Sequence, residues 1–337
     1  MPIRFYSFED ASAPQLPNVS TQRTYDSLCT VLKACLVTGY GSKPGAGWTI
    51  GHEHADGISF GNGRGFINLV AEGTQRVVLY IMETITNGTA ALAQGYNRRS
   101  GDWYEGQTTT SRQLLYLPGL QGTTASKAWA VVADEKSVIV SAGATTLIDA
   151  ANSNGAGLYF GDFIGPGDVP VFGSFGGRNM HITSSSSGNF LAHGTTISGC
   201  VLRHPATGLI DQGATPLYGL IAPSEDGVTS VVASKPAPLV SRLRSIRCGI
   251  TGFGAGVSGG TSWTVSVTVG LSRGMVAFPD LTSTYLSKAL PALGKASPVW
   301  QDRYRLITLP DGKQVLPLNP HTSDLLAFVS LDPADWE

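Results

Sequence analysis

Cysteine is scarce in this sequence. Only 4 of the 337 residues are cysteines, and their spacing follows no repeated pattern. Secreted proteins that depend on a disulfide framework carry more cysteines at closer intervals, so that class is excluded. The four are Cys29, Cys35, Cys200 and Cys248. We expect them to be small buried apolar side chains with no redox or metal-binding role.

Charge is also sparse. Charged residues make up 14% of the chain, the net charge is -1, and the longest basic run is the pair Arg98-Arg99. A protein that binds nucleic acid normally carries a cluster of basic residues that neutralises phosphates. The sequence therefore predicts no nucleic-acid partner. So few charges also indicate that neighbouring proteins cover much of the surface.

Long apolar segments are missing as well. No window approaches the ~20 apolar residues that a membrane helix requires. Residues 1–5 lack the basic segment and the apolar core of a signal peptide. We expect a chain that folds in water and has no membrane span.

Glycine, by contrast, is abundant. The chain holds 42 glycines, a larger share than the usual ~7%, together with 19 prolines and many Thr, Ser and Val residues. This composition favours strands joined by many turns. The predicted fold class is mainly β, with antiparallel sandwich- or barrel-like sheets, long Gly-rich loops and one N-terminal amphipathic helix.

Apolar runs, continuous or alternating, mark the predicted strands. They cover residues 77–82, 114–117, 128–133, 137–141, 263–269, 304–309 and 315–318. Residues 134–136 and 310–313 carry the turn chemistry that joins neighbouring strands into hairpins. Glycine- and serine-rich segments are predicted loops, at 61–65, 151–155, 184–188 and 252–260. The loops at 61–65 and 252–256 lack the Lys and the following helix of a phosphate-binding loop.

One helix is predicted over residues 25–37. Its apolar stripe recurs at helical spacing and consists of Leu28, Val31, Leu32, Cys35 and Leu36. Ser20, Thr21 or Thr24 can serve as its N-cap, and Gly39 and Gly41 can end it. We expect the apolar stripe to dock on the sheet that follows.

Three segments describe the predicted domain organisation. Residues 1–20 form an extended N-terminal arm, residues 21–155 a helix plus β domain, and residues 156–337 a second β domain. One continuous β domain fits the pattern equally well. The arm has little apolar periodicity up to about Pro17, so we expect it to become ordered only against a partner.

The strongest catalytic motif is G-x-S-x-G at residues 256–260, with Ser258 as the nucleophile. This motif needs a strand, a sharp turn and then a helix, which together expose the hydroxyl. Here a strand is predicted after it. The sequence therefore favours a flexible loop over a hydrolase site.

A pair of histidines is a candidate metal site. If the chain is extended there, His52 and His54 lie on one side of a strand, and Asp56 follows as a third ligand. Further ligands would have to come from distant histidines, at His181, His193, His204 and His321. A hydrogen-bonding loop is the alternative, and the sequence leaves open whether a metal binds.

Acidic and aromatic residues offer two further kinds of site. A pair of acids can cleave glycosides, but Asp134 and Glu135 fit a solvated turn equally well. Asp162 and Asp168 flank a Gly-Pro-Gly loop without a catalytic signature. Aromatic residues in loops can stack on sugars or fill a β core, and the candidates are Trp103, Tyr104, Tyr159 and Phe163. We predict no catalytic residues, no cofactor and no enzyme activity.

Several segments resemble a family of virion-associated proteins of tailed phages and prophages. They are RFYSFEDASAP at 4–14, LKACLVTGYGSKPGAGW at 32–48, KAWAVVADEK at 127–136, LYFGDF at 158–163, YRLITL at 304–309 and ADW at 334–336. Their order along the chain is the order in that family. The family is poorly characterised, so the resemblance supplies a context but no catalytic residues.

The resemblance implies a structural component of the virion, assembled in the cytoplasm of the host bacterium. Its partners would be copies of itself and neighbouring virion proteins, in the tail, baseplate or neck. A tail-tip protein that binds host surface glycans is an alternative. A capsid decoration protein and a virion-borne hydrolase are the remaining alternatives.

Overall fold

Antiparallel strands make up most of the fold, so the predicted fold class is confirmed. The structure is a computed structural model that describes residues 2–15, 23–74, 76–100, 103–104, 114–116, 129–142, 156–164, 170–176, 179–181, 184–188, 218–221, 246–254, 265–277, 305–309, 311–317 and 327–337. A curled antiparallel sheet with the form of half a barrel accompanies one N-terminal helix.

Twenty-two strands lie in the described residues. The first eleven are β1 (Arg4–Ser7), β2 (Thr49–His54), β3 (Gly57–Gly61), β4 (Phe66–Glu72), β5 (Arg76–Met82), β6 (Thr84–Asn87), β7 (Gln94–Tyr96), β8 (Arg99–Ser100), β9 (Trp103–Tyr104), β10 (Leu114–Tyr116) and β11 (Trp129–Ala133). The others are β12 (Ser137–Ala142), β13 (Ala156–Ile164), β14 (Pro170–Gly176), β15 (Asn179–His181), β16 (Ser184–Gly188), β17 (Tyr218–Ile221), β18 (Ile246–Gly254), β19 (Val265–Ala277), β20 (Ile307–Thr308), β21 (Gln314–Pro317) and β22 (Ala327–Ser330). A short 3₁₀ turn follows at Pro333–Asp335.

Two large sheets contain most of these strands. The first sheet has the order β1-β11-β12-β13-β19-β22-β21-β20, with β14 beside β13, β18 beside β19 and β17 beside β18. The second sheet has the order β2-β3-β4-β5-β8-β9, with β10 beside β5. The pairs β6–β7 and β15–β16 form two small sheets of their own.

The predicted helix is confirmed. Helix α1 spans Thr24–Lys33 and continues as a π-helical turn over Ala34–Thr38. The whole predicted stripe is at most 2% exposed, namely Leu28, Val31, Leu32, Cys35 and Leu36. Gly39 ends the helix with a φ of 76°, a conformation that glycine adopts without strain. Within the described part of the chain, no helix is long and apolar enough to cross a membrane.

The start of α1 differs from the prediction. Arg23 occupies the N-cap position without a side-chain cap bond, and Thr24 is the first helical residue. Arg23 instead forms ion pairs with Asp26 in the first turn and with Asp56 beyond β2. These charges anchor the helix start in place of a capping hydroxyl. Ser20 and Thr21 lie outside the described residues.

Helix α1 packs into the main hydrophobic core. Its buried stripe belongs to the same cluster as Phe60 and Ile67 of the second sheet and Val131 and Phe160 of the first. An amphipathic helix gains most of its stability from burial of this kind. The expectation that the stripe docks on the following sheet is therefore confirmed, and the helix also contacts the first sheet.

Part of the predicted arm belongs to the sheet of its own chain. Strand β1 pairs with β11 in antiparallel register, and Tyr6 in its middle is 0% exposed. The Tyr6 hydroxyl donates a hydrogen bond to the Pro44 carbonyl at 2.8 Å. The expectation that these residues need a partner for order is corrected, because one buried aromatic anchors a segment that lacks apolar periodicity.

The first sheet also crosses the predicted division at residue 155. Strand β12 lies before this point and β13 after it, and the two strands pair along the whole of β12. The two predicted halves therefore share one sheet. This pairing accords with the continuous β domain that the sequence left open.

Two predicted loops are corrected. Ser184–Gly188 forms β16, and residues 252–254 are the last part of β18. Such glycine- and serine-rich segments have low strand propensity, and pairing with a neighbouring strand overrides it. The turn at 61–65 and both predicted hairpins are present as expected. The loop at 151–155 lies outside the described residues.

Candidate functional site

A buried ion pair is the main polar feature of the first sheet. Arg273 lies on β19, and Asp134 lies in the turn between β11 and β12. The guanidinium Nη2 is 2.6 Å from Asp134 Oδ2, and Nη1 is 3.0 Å from Oδ1. The two side chains are 8% and 7% exposed. Together with Ser137, Tyr159 and Trp336, these residues form what we call the buried polar network.

Asp134 also organises its own turn. Its Oδ1 accepts hydrogen bonds from the backbone N–H groups of Lys136, at 2.9 Å, and Ser137, at 2.7 Å. The backbone carbonyl of Asp134 accepts a hydrogen bond from the indole of Trp48 at 2.8 Å. The predicted turn chemistry is confirmed. The predicted solvation is wrong, because Trp48 and Arg273 bury the residue until only 5% remains exposed.

Tyr159 on β13 connects the ion pair to the neighbouring strand. Its hydroxyl accepts a hydrogen bond from the Arg273 backbone N–H at 3.1 Å and donates one to the Asp162 carbonyl at 2.6 Å. The Ser137 hydroxyl donates to the same carbonyl at 2.8 Å and accepts from Arg273 Nη1 at 3.0 Å. Burial raises the pKa of Tyr159 above its usual range, so the phenol keeps its proton.

Trp336 closes the network from the other side. The Arg273 guanidinium lies 5.8 Å from the centre of the Trp336 ring, and its Nε donates to the Trp336 carbonyl at 2.5 Å. The indole N–H donates to the Ser330 carbonyl at 2.7 Å. Gly274 packs against the ring with a φ of +73°, and a Cβ at this position would overlap the indole. The tryptophan therefore fits only against a residue without a side chain.

This arrangement links β19 and β13 to the turn between β11 and β12. A general acid or base must reach the proton that it transfers, and an ionised group must meet the charge that it stabilises. Asp134 and Arg273 instead satisfy each other and are shielded from water. A two-point guanidinium–carboxylate pair of this kind is geometrically specific. Its partners are 139 residues apart in the chain, so the pair fixes a distant strand against a local turn.

Asp162 forms a second polar contact, between the two large sheets. Its carboxylate is 2% exposed and lies 2.9 Å from Arg64 Nε. The Asn62 amide donates to Asp162 Oδ1 at 2.9 Å and to the Lys136 carbonyl at 2.7 Å. Burial raises the pKa of Asp162, although Asn62 and Arg64 oppose the shift. Asp134 and Asp162 thus have separate basic partners instead of forming a hydrolytic pair.

The two histidines lie on one side of β2, as predicted. The rings of His52 and His54 are stacked with their centres 6.4 Å apart. His52 Nε2 is 2.8 Å from the Ala90 carbonyl and therefore carries a proton toward it. His54 Nδ1 accepts a hydrogen bond from the Asp56 backbone N–H, and the Arg23 ion pair lowers the pKa of Asp56.

These contacts occupy one nitrogen of each histidine ring, and the Arg23 ion pair occupies the Asp56 carboxylate. Among the described residues, no group of three or more His, Cys, Asp or Glu side chains is arranged to hold a metal ion. Of the further ligands considered, His193, His204 and His321 lie outside the described residues, and His181 is in β15.

The segment with Ser258 lies outside the described residues, but its flanking strands are described. Strands β18 and β19 pair with each other in antiparallel register, from Ile246 opposite Ala277 to Gly254 opposite Val265. The predicted strand after the motif is therefore confirmed. The nucleophile motif requires a helix at this place.

The aromatic candidates for sugar binding divide into two groups. Tyr159 and Phe163 are 0% and 1% exposed, with ring centres 4.5 Å apart in the interior. They are core residues, which confirms the core alternative for these two and removes them as candidates for sugar binding. Trp103 and Tyr104 form the short strand β9.

Two of the four cysteines are described with their side chains. Cys35 is buried in the main core, and Cys29 is partly buried on the same helix. Burial raises the pKa of both thiols, which keeps them in the unreactive protonated form. The expected apolar role is confirmed for Cys35. Cys200 lies outside the described residues, and Cys248 is in β18.

Arg273, which forms the ion pair of the buried polar network, was not singled out from the sequence. It follows Val267, Val269 and Leu271 at alternate positions of the sequence, so alternation predicts a charge on the apolar face of the strand. A charge at such a position needs a buried partner. The sequence therefore indicates that Arg273 needs a buried partner, but it does not identify that partner.

Comparison with protein-family models and with curated proteins identifies no relative. No model of a protein family matches the sequence, and no curated protein matches it.

Proposed function

We propose that this chain is a non-enzymatic structural subunit of a tailed bacteriophage virion. It assembles as an oligomer in the tail, baseplate or neck, together with neighbouring virion proteins. Its assembly takes place in the cytoplasm of the host bacterium.

The observation that carries the structural role is the closure of the buried polar network. Asp134, Arg273 and Tyr159 are groups of the kinds that carry out acid–base or electrostatic chemistry, and each is at most 6% exposed. Their hydrogen bonds go to one another, to the Ser137 hydroxyl and to the backbone. A rigid subunit uses polar groups in this way, because a satisfied buried network fixes a unique arrangement of strands.

The particle context comes from the segments that resemble virion proteins. These segments supply the framework just described, since 127–136 contains Asp134, 158–163 contains Tyr159 and 334–336 contains Trp336. The resemblance therefore concerns the residues that hold the fold together. This agreement supports a scaffold shared with those virion proteins, and it identifies no active site.

Quantitative mass spectrometry of purified particles tests the proposal. Particles from the phage that encodes the chain are banded in a density gradient and digested, and the chain is counted against the major capsid protein. We expect several copies per particle, because a symmetric ring or tube repeats one subunit.

The control is a phage-encoded enzyme that acts inside the infected cell and is not packaged. Its signal should fall to background in the same gradient band. Depletion of this chain to the same background would overturn the proposal. A single low-copy signal with tight binding to a host glycan would favour the tail-tip alternative instead.

A further inference from the structure

The turn between β3 and β4 contains an asparagine followed by a glycine, Asn62-Gly63. Such a pair deamidates readily, because no Cβ on the glycine hinders the approach of its backbone nitrogen to the asparagine side chain. Gly63 has a φ of +86°, and a Cβ at this position would meet nothing within 4 Å. The tip of the turn therefore faces open space.

Hydrogen bonds hold both ends of the Asn62 amide. Its Oδ1 accepts from the backbone N–H groups of Arg64, at 2.9 Å, and Gly65, at 3.3 Å. Its Nδ2 donates to Asp162 Oδ1 at 2.9 Å and to the Lys136 carbonyl at 2.7 Å. An amide offers two acceptor and two donor positions, and all of them are filled here. We call the two bonds of Nδ2, which join the turn to the first sheet, the Asn62 clasp.

We propose that Asn62 is a deamidation site that the Asn62 clasp protects. The reaction removes Nδ2, so it cannot proceed without breaking both bonds of the clasp. Once the clasp opens, the Gly63 backbone nitrogen bonds to Asn62 Cγ and the bond from Cγ to Nδ2 breaks. Nδ2 leaves as ammonia and takes the proton of the Gly63 N–H. Water then hydrolyses the cyclic imide to an aspartate or an isoaspartate.

The product does not fit the closed clasp. Its carboxylate places an oxygen where Nδ2 stood, opposite the Asp162 carboxylate and the Lys136 carbonyl, and both of these are acceptors. The Asp162 side chain is 2% exposed, so water screens the repulsion only weakly, and Arg64 supplies one positive charge for two carboxylates. Deamidation is therefore a one-way change that weakens the contact between the two large sheets.

Peptide mass spectrometry of the purified full chain tests this inference. The protein is incubated at neutral pH, either folded or unfolded in guanidinium chloride, and the conversion of Asn62 is followed by the mass gain of its peptide. We expect conversion at least about tenfold slower in the folded chain, because a reaction that needs an open state scales with the population of that state. Equal rates in the two states, or no conversion in either, would overturn the inference.

Two variants separate opening of the clasp from loss of stability in general. Asp162→Ala removes one acceptor of the clasp, so the folded variant should convert Asn62 several-fold faster than the wild type does. Gly274→Ala is the control, because it disturbs the packing of Trp336 and leaves the bonds of Asn62 in place. It should convert Asn62 at nearly the rate of the wild type. Unchanged conversion in Asp162→Ala, or equal acceleration in both variants, would contradict protection by the clasp.

A mimic of the product tests the one-way change, and it decides the matter if Asp162→Ala does not fold. Asn62→Asp reproduces the aspartate product and should lower the denaturant midpoint of unfolding. Asp162→Asn in the Asn62→Asp background should restore most of this loss, because one amide and one carboxylate then face each other again. A midpoint of Asn62→Asp equal to that of the wild type, or no recovery in the double variant, would refute the repulsion.

Discussion

Asp134→Asn is expected to lower the free energy of unfolding by about 3–5 kcal/mol. The substitution keeps an acceptor for the turn N–H groups of Lys136 and Ser137. It removes the negative charge opposite Arg273, whose side chain is 8% exposed, so a guanidinium is left buried without a counter-charge. Chemical denaturation monitored by circular dichroism measures the change.

Asp162→Asn is the matched control for this variant. It removes an equally buried carboxylate, but the basic partner Arg64 is 53% exposed and can be solvated when the charge is gone. We expect a change of less than about 1 kcal/mol at neutral pH. Equal losses in Asp134→Asn and Asp162→Asn would show that the Arg273 pair has no special role. The double variant Asp134→Asn/Arg273→Met should recover part of the loss.

The difference in stability between the wild type and Asp162→Asn should depend on pH. Burial raises the pKa of Asp162 in the folded state, so the folded chain takes up this proton at a higher pH than the unfolded chain does. As the pH falls from 7 toward the unfolded pKa of ~3.9, the wild type should gain stability relative to Asp162→Asn. A relative loss over this interval would contradict the assigned direction.

Gly274→Ala is expected to lower the free energy of unfolding by about 2–5 kcal/mol. Alanine at a φ of +73° carries a backbone penalty of roughly 1–2 kcal/mol. Its Cβ would also overlap the indole of Trp336, and overpacking a core adds about 1–3 kcal/mol. Denaturant unfolding of the purified variant gives the total.

Gly312→Ala separates the two contributions. Gly312 has a φ of +85° with open space around the position of a Cβ, so this variant carries the backbone penalty alone. In a Trp336→Ala background, Gly274→Ala should likewise lower the free energy of unfolding by the backbone penalty alone. Equal costs for Gly274→Ala in the presence and absence of Trp336 would rule out the steric contact.

The local elements of this fold were predictable because their signals are local. The stripe from Leu28 to Leu36 repeats at helical spacing, and Asp134 carries turn chemistry within three residues of the groups it binds. The burial of Asp134 was not predictable, since it depends on Arg273, which is 139 residues away. No periodicity encodes a contact at that distance.

The role of the N-terminal residues was missed for a related reason. Tyr6 lies in a short segment without apolar periodicity, and its burial depends on Pro44 and on pairing with β11. The position of His52 and His54 on one side of β2 followed directly from strand geometry. Their hydrogen bonds did not, because the Ala90 carbonyl comes from another part of the chain.

Electron microscopy of intact particles tests the central claim most directly. A short affinity tag is fused to the chain in the phage genome and marked with gold on purified virions. The structural account predicts gold at one fixed place on the tail, baseplate or neck, repeated according to the local symmetry. Particles without gold, beside tagged protein that remains free in the host lysate, would contradict it.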